Sequence, residues 1–354
     1  MNRRRPGVYH RSVMATTWRR GLAGLLSVFV FLAGMTARAH AASALIPTTP
    51  APFVWIQLES GAVTIRTWDR PAIQIQSDPS VRFSHAPPRD VGGRAPQQIP
   101  LWSQTVRTPA GDLTLAPEAF ILPSFPPGEH DALVVRGEGD VTLTIPTQTA
   151  LVLANVRLGS VAVDSFAGTA LVAHVTAGEV HLNNVSTTAA VQVNNGPVFI
   201  SNSDFPRLRL RTGRGNVFMD NCRASQIQVT SLVGSILFDD GTFDPGLAHF
   251  ETDRGSIAIG VTSGAQIDAH SSAGRIFYDI GNEGNINRSP NDAQAMLNGG
   301  GPVVTASSVD GAVLFYRGTL HQYPQLERII GPKLRRAQEQ PPFQQQPLRQ
   351  RALR

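Results

Sequence analysis

Two stretches, LRLRTGRGNVFMDN at residues 208–221 and IQVTSLVGSILFDD at residues 227–240, share one pattern from which the architecture follows. Each has an alternating strand, a few turn residues, a glycine and a second alternating strand. Alternation of apolar and polar residues is typical of half-buried β-strands. The pattern returns about every nineteen residues, and its glycines are Gly159, Gly178, Gly196, Gly215, Gly234, Gly255, Gly274 and Gly311.

Two columns of this repeat predict the core. The positions two and four residues after each glycine are apolar, as at Val217 and Met219. A spacing of two places both on one face of a strand. A unit this short cannot bury that face alone, so neighbouring coils must stack. We therefore predict an all-β, single-stranded β-solenoid, a β-helix-like stack in which Val198, Val217 and Ile236 lie above one another.

The strand before each glycine is expected to bury alternate side chains as well. Leu151, Leu153 and Leu208 represent this inward column, whereas the alternate positions, such as Gln192 and Arg211, are mostly polar. This strand should therefore have one solvent-facing side. The glycine column itself predicts a backbone that needs positive φ or a close approach of another chain segment.

The column three residues after each glycine is a candidate interaction stripe. It is apolar in most coils, although strand alternation should point it outward. An apolar outer stripe is unfavourable unless something covers it. Either the chain's own insertions and tail cover it, or it is a partner-binding or assembly surface. The stripe consists of Phe199, Phe218, Leu237, Phe277 and Leu314.

A polar column follows, five and six residues after each glycine, as at Asp220 and Asn221. Asx turns and side-chain ladders at the corners of the coils explain these residues. Calcium is the alternative, because Asp239, Asp240 and Asp244 offer hard oxygen ligands. The glycine-rich nonapeptide of calcium-loaded β-rolls is absent, however. We predict neither a metal site nor a cofactor site.

An enzymatic function is the alternative to a binding function. Parallel β-helices also carry polysaccharide-active sites with clustered carboxylates and a basic residue. The candidates are Asp220, Asp239 and Asp253 with Arg254 or Arg275. These carboxylates fall on turn columns, the only lysine is Lys333, and neither a catalytic triad nor metal-ligand spacing is apparent. The sequence therefore favours a protein that is not an enzyme.

The first 41 residues are typical of a secretory signal peptide. Arg19 and Arg20 precede an apolar run over 21–35, and Ala39 and Ala41 mark a small-residue cleavage site. The run is too short to span a bilayer comfortably, so we expect no transmembrane anchor after cleavage. The predicted location is outside the cytoplasm: periplasm, cell surface or extracellular space.

The charge of the chain argues against nucleic-acid binding. Seven of the 31 basic residues lie in 1–41, which leaves 24 against 26 acidic residues in the mature chain. A nucleic-acid-binding body would carry a basic surface. The predicted partners are instead a surface protein, a carbohydrate or another copy of the chain.

The predicted organisation has five parts: the signal peptide at 1–41, a linker at 42–52, N-terminal coils and a cap with Pro-rich loops at 53–150, solenoid repeats at 151–322, and a disordered basic tail at 323–354. A helical insertion is expected near 281–302. Ser289 would be its N-cap, Pro290 would occupy its first turn, and Gly299 would follow its end.

The repeat also resembles a known family. IQLESGAVTIRTWDRPAIQIQ at 56–76, together with GNVFMD, GSILFD and GSIAIG, resembles the adhesin-like family DUF4097 over roughly residues 53–318. This resemblance implies a bacterial β-solenoid of the envelope or secreted space, without an established enzymatic activity. The Pro-rich loops, the 281–302 insertion and the basic tail depart from the family pattern. The predicted function is a non-enzymatic, exported, adhesin-like solenoid that presents a repetitive surface for binding or assembly.

Overall fold

The computed structural model describes residues 42–90, 98–109, 111–125, 128–279, 287–289, 291–297 and 299–322. The predicted signal peptide and the predicted tail lie outside these residues. All the described residues belong to one compact unit. They form β-strands and one short 3-10 helix, with no α-helix in the described part of the chain. The predicted all-β class is therefore confirmed.

The strands follow one another along the chain. The N-terminal part contains β1 (Ala42–Pro47), β2 (Phe53–Trp68), β3 (Ala72–Ser77), β4 (Arg82–Asp90), β5 (Gln98–Leu101), β6 (Gln104–Thr108), β7 (Gly111–Leu115), β8 (Glu118–Ile121), β9 (Glu129–Glu138) and β10 (Val141–Pro146). The middle part contains β11 (Leu151–Asp164), β12 (Ala170–Asn183), β13 (Thr188–Asn195), β14 (Val198–Ser201), β15 (Asp204–Arg214), β16 (Val217–Asp220), β17 (Arg223–Val233), β18 (Ile236–Phe243), β19 (Leu247–Arg254) and β20 (Ile257–Val261). The C-terminal part contains β21 (Ala265–Ser271), β22 (Ile276–Asp279), β23 (Asn287–Arg288), β24 (Asp292–Leu297), β25 (Val303–Asp310), β26 (Val313–Arg317) and the 3-10 helix Leu320–Gln322.

Equivalent strands of neighbouring coils pair in parallel and in register. Val198 lies beside Val217, and Val217 lies beside Ile236, as the repeat predicts. All three side chains are fully buried. Because paired strands are about 4.8 Å apart, the inward columns form one continuous core along the stack. The β-solenoid prediction is confirmed at the level of individual residues.

The glycine column holds the closest backbone approaches. Gly178 has a φ of 143°, and a Cβ atom there would lie 1.6 Å from the carbonyl oxygen of Gly159. The same relation recurs from coil to coil. Both reasons offered by the sequence, positive φ and close approach, therefore apply at this position.

The order of the coils in space differs from their order along the chain at both ends. The coil of β9 and β10 lies outside β2, and β2 pairs on its other side with β11. At the far end, β25 and β26 lie between the coil of β19 and β20 and the coil of β21 and β22. The last coil in the sequence is therefore the last but one in space.

Antiparallel strands protect the end coils. β4 pairs with β9, while β3 pairs with both β10 and β1. At the other end β24 pairs with β21, and β23 pairs with β24. Caps of this kind limit the exposure of unpaired strand edges. The prediction of a linker at 42–52 is wrong for its first residues, because Ala42–Pro47 forms strand β1 of the cap.

The helix predicted within 281–302 is wrong for the residues that the structure describes there. Asp292–Leu297 is strand β24. Ser289 accepts a hydrogen bond from the Asp292 backbone N–H, but this bond closes a tight turn and does not cap a helix. Ala293, Ala295 and Leu297 alternate and are buried where β24 pairs with β21, and this packing overrides the local capping signal.

A hairpin arm, residues 98–109 and 111–125, crosses the outer face of the middle coils. β5 pairs with β8 and β6 with β7, both antiparallel. The prediction that Leu151 and Leu153 face the core is wrong. In β11, Val152 and Ala154 face the core, while Leu151 and Leu153 pack beside the arm's apolar cluster. Leu208 faces the core as predicted.

Candidate functional site

The structure gathers the five residues of the interaction stripe into one row. Parallel pairing places Phe199, Phe218 and Leu237 in successive coils. Ala258 and Leu314 follow, and Leu314 pairs with Phe277. The rings of Phe199 and Phe218 are stacked with 5.1 Å between their centroids.

The chain itself covers the centre of this stripe. Phe218 is 7% exposed, Leu237 1% and Leu314 0%. They form one apolar cluster with Tyr316 and Leu320, which belong to the last strand and the 3-10 helix. Phe199 and Phe277, toward the two ends of the row, remain half-buried. The stripe is thus an internal packing surface at its centre and is partly accessible only toward its ends.

Asp239 fastens this C-terminal segment. The Tyr316 hydroxyl donates a hydrogen bond to Asp239 Oδ1 at 2.8 Å, and the Leu320 backbone N–H donates to the same oxygen at 2.9 Å. Tyr316 reaches Asp239 across Gly260, where a Cβ atom would lie 2.5 Å from Tyr316 Cε2. A residue with a side chain at position 260 would therefore displace the tyrosine ring.

Burial controls the electrostatics of Asp239. The side chain is 5% exposed, and burial raises its pKa to about 6. The hydrogen bonds from Tyr316 and Leu320 work in the opposite direction, whereas Asp220 and Asp240 raise the pKa further by repulsion. Both charged groups acting on Asp239 are carboxylates, so they favour the neutral, protonated form of its side chain.

The predicted catalytic carboxylates do not form a cluster with a basic residue. Asp220 and Asp239 are register partners at the corner, whereas Asp253 belongs to β19, a strand that precedes the glycine column. Burial raises the pKa of Asp220 and of Asp253. Arg254 lowers the pKa of its neighbour Asp253, and Arg275 is exposed on the coil that ends in β22. Asp239 is already occupied by Tyr316 and Leu320.

The corner residues form the predicted side-chain ladder. Asn183 Nδ2 donates to Asp164 Oδ1 at 2.9 Å, and Asn221 Nδ2 donates to Asn202 Oδ1 at 2.8 Å. Asp244, a member of the calcium alternative, accepts a hydrogen bond of 2.7 Å from Arg223. Within the described ranges, no group of three or more His, Cys, Asp or Glu side chains is placed to hold a metal ion.

The polar strand face is less exposed than the sequence predicts. Gln192 is 1% exposed and Arg211 is 5% exposed beneath the hairpin arm. Gln192 Nε2 donates to the Trp102 carbonyl oxygen at 2.9 Å, and Arg211 donates to the Ala116 carbonyl oxygen at 2.5 Å. The Trp102 ring packs against His174 with 4.6 Å between centroids. The arm reaches these coils through contacts that are distant in sequence, and the repeat does not specify them.

The sequence reading also missed the roles of Tyr316 and Leu320. A signal was present for Tyr316, which lies five residues after Gly311, where other coils carry polar residues such as Asp164 or Asn183. A tyrosine in this polar column indicates a local change in the corner. No comparable signal marked Leu320.

Parallel coils of about nineteen residues, with one core and antiparallel end strands, define a β-solenoid protein. No helix in the described ranges is long and apolar enough to cross a membrane. The chain belongs to the Toastrack family, DUF4097, whose model matches residues 118–313.

Among solved structures, the chain is similar to a candidate cell adhesion protein from Clostridium sporogenes. The two are 7% identical, the match covers 78% of this chain and 99% of that chain, and the TM-score is 0.23. No curated protein matches this sequence.

Proposed function

We propose that this protein is a non-enzymatic, exported, adhesin-like β-solenoid that presents a repetitive outer surface for binding or assembly. The observation that carries the proposal is the parallel register of the coils. It repeats each outward position at about 4.8 Å intervals along the stack. A rigid array of this kind suits recognition of an extended or repetitive partner.

The side chains on this array support binding more than catalysis. Asp239, the most strongly perturbed of the candidate carboxylates, is buried in a structural contact. Large apolar side chains meanwhile remain on the surface, including Trp55 at 47% exposure and the neighbouring pair Leu247 and Val303 at 58% and 38%. Leu247 and Val303 adjoin each other, and contiguous exposed apolar groups are a feature of contact surfaces.

Export is part of the same proposal. It is supported by the charged and apolar segments of residues 1–41 and by the cleavage pattern at Ala39 and Ala41. We expect the protein in the periplasm, on the cell surface or in the medium. Its partner would be a surface protein, a carbohydrate or another copy of the chain.

Fractionation of the producing cell, combined with a binding assay, tests this function. The full chain and a form lacking 323–354 should both be found outside the cytoplasm, with a new N-terminus close to residue 42. Labelled mature protein should bind isolated envelopes or itself in a saturable manner, and Val217→Asp, which breaks the core, should not. A chain that stays in the cytoplasm at full length, or shows no saturable binding, would contradict the proposal.

A further inference from the structure

An open depression lies on the outer face of the first coil in space, where β4 runs beside β9. Its volume is about 510 Å³, and its lining includes Arg82, Ser84, Val134 and Arg136. It is separate from the interaction stripe, which lies on the strands that follow the glycine column. Arg82, Ser84, Val134 and Arg136 face outward, because the alternate residues Leu133 and Val135 are buried in the core and Phe83, which also lines the depression, packs against that core.

Two arginines face each other in this depression. Arg82 and Arg136 are direct partners in the antiparallel register of β4 and β9, and both side chains are exposed. Like charges directly opposite each other destabilise a strand pair. Neither guanidinium forms a salt bridge with a carboxylate of the described residues. Glu138, the one carboxylate among the described lining residues, forms no salt bridge with either arginine, so an anion between the arginines would relieve their repulsion.

A tryptophan adjoins the arginines. Trp55 pairs with Val134 across β2 and β9, and its ring is 47% exposed. The Arg136 guanidinium carbon lies 5.9 Å from the centre of this ring. An exposed indole offers a flat apolar surface, and the neighbouring guanidinium offers a planar pair of donors that matches a carboxylate.

This combination of two arginines and an indole favours one class of ligand over others. An inorganic phosphate would use the two arginines but would gain nothing from the indole. A neutral sugar would stack on the indole but would leave the arginine pair unsatisfied. A sugar ring that carries a carboxylate uses both, because its C–H face packs on Trp55 while its carboxylate accepts charge-assisted hydrogen bonds from Arg82 and Arg136.

We propose that Trp55, Arg82 and Arg136 form a binding site for a carboxylated sugar residue of an acidic polysaccharide. The inference rests on the proposed binding function and gives it a ligand class. Ser84, which also lines the depression, supplies a hydroxyl for a sugar hydroxyl group. Leu153, the register partner of Trp55 in β11, packs beside the hairpin arm, so the arm bounds the site on this side.

Titration of the mature protein with trigalacturonate at low salt tests the site, with calorimetry and tryptophan fluorescence as readouts. Galactotriose and inorganic phosphate are the comparison ligands. We expect trigalacturonate to bind at least about tenfold more tightly than either, because only it satisfies both the arginines and the indole. Salt should weaken the binding, since the arginine contacts are exposed.

Single substitutions identify the residues. Trp55→Ala, Arg82→Gln and Arg136→Gln should each weaken trigalacturonate binding about tenfold or more, with unchanged thermal melting. Two exposed residues of the hairpin arm provide matched controls. Trp102 is 46% exposed and the Arg107 side chain is 90% exposed. Trp102→Ala and Arg107→Gln should change the affinity less than about twofold.

Several results would overturn the site: no trigalacturonate binding at millimolar concentration, equal affinity for galactotriose or for phosphate, or equal losses in the control variants. Envelope binding or self-association that persists in Arg136→Gln would then show that the proposed function stands without this site. Sugar binding by a protein that remains in the cytoplasm would instead contradict the proposed function and leave the site intact.

Discussion

At the residue scale, single glycines allow the backbones of neighbouring coils to approach each other closely. The Cβ atom of alanine at position 178 would overlap the Gly159 carbonyl oxygen, 1.6 Å away, and would also adopt a φ of 143°. Gly111 shares the second problem without the first, since its φ is 125° and nothing lies within 4 Å of its built Cβ atom. The two positions therefore separate backbone conformation from close approach.

We expect Gly178→Ala to lower the free energy of unfolding by more than about 4 kcal/mol, because a steric overlap adds to the conformational cost. Gly111→Ala should lower it by about 1–3 kcal/mol, the cost of a residue held at an unfavourable φ. Denaturant unfolding of both variants measures the difference. Equal losses would show that the coils do not approach as closely as described.

Asp239 makes stability depend on pH. Its pKa is about 6 in the folded protein, above the ordinary value of 3.8, so the folded state holds the proton more tightly than the unfolded state. Stability from this group is therefore greatest below about pH 4 and is lost as the pH rises through 6, by about 3 kcal/mol in total. Asp220, whose pKa burial also raises, acts in the same direction.

Asp239→Asn keeps an oxygen acceptor for Tyr316 and Leu320 and removes the charge. We expect the variant to match the wild type near pH 4 and to be the more stable protein above pH 6.5. The melting temperature of each protein is measured from pH 4 to pH 8. The difference between the two at each pH removes the contributions of groups that titrate alike in both proteins. A flat curve, or a less stable variant at pH 7, would contradict this account of Asp239.

At the scale of elements, the 3-10 helix covers the centre of the interaction stripe through Leu320. Its side chain is 4% exposed and packs in one cluster with Leu237 and Leu314. Leu320→Ser should remove about 2–4 kcal/mol of local packing and increase the fluorescence of a hydrophobic dye. Leu247→Ser is the control, because Leu247 is 58% exposed. If the dye responds equally to both variants, the 3-10 helix is not the cover.

The hairpin arm depends on Phe120. This side chain is 2% exposed within the cluster between the arm and the middle coils, whereas its neighbour Ile121 is 47% exposed. Phe120→Ala should release the arm and speed tryptic cleavage after Arg107 by at least about tenfold, through local opening. Ile121→Ala should change this rate less than about twofold. An uncut arm in Phe120→Ala would mean that other contacts hold it.

The strands differed in how far the sequence predicted them. Where only one face is apolar, as in β15, in which Leu208 and Leu210 alternate with arginines, alternation identified the core side correctly. In β11 both faces carry apolar residues because the arm covers the outer one, so alternation could not choose between Leu151 and Val152. At β24 a turn signal at Ser289 resembled a helix cap, and the decisive packing comes from a strand distant in sequence.

The candidate site was less predictable than the fold. The stripe followed from the repeat, because each member occupies the same position relative to a glycine. Its cover did not, since Tyr316 and Leu320 contact Asp239 across about eighty residues. The facing pair Arg82 and Arg136 likewise depends on an antiparallel register that no repeat specifies.

At the scale of the whole molecule, stacking and coil order are separate properties. The period fixes which side chains are equivalent, and every coil presents the same inward columns to both neighbours. It does not state which coil lies next to which once insertions intervene. Residues 303–317 therefore lie beside 247–261 on one side and 265–279 on the other, although a serial stack fits the same repeat.

Disulfide formation between exposed outer positions tests this arrangement most directly. Leu247 pairs with Val303, and Val303 pairs with Gln266, so each pair lies one strand spacing apart, within disulfide reach. Leu247 and Gln266 are two spacings apart, about 10 Å, which is too far. Cys222 will not interfere, because it is buried and burial raises the pKa of its thiol to about 12.

Three double-cysteine variants should be oxidised under mild conditions and their cross-links counted by mass spectrometry. The coil order predicts near-complete disulfides for Leu247→Cys with Val303→Cys and for Val303→Cys with Gln266→Cys, and none for Leu247→Cys with Gln266→Cys. A disulfide between positions 247 and 266, with no link from 247 to 303, would contradict the stacked register and the coil order.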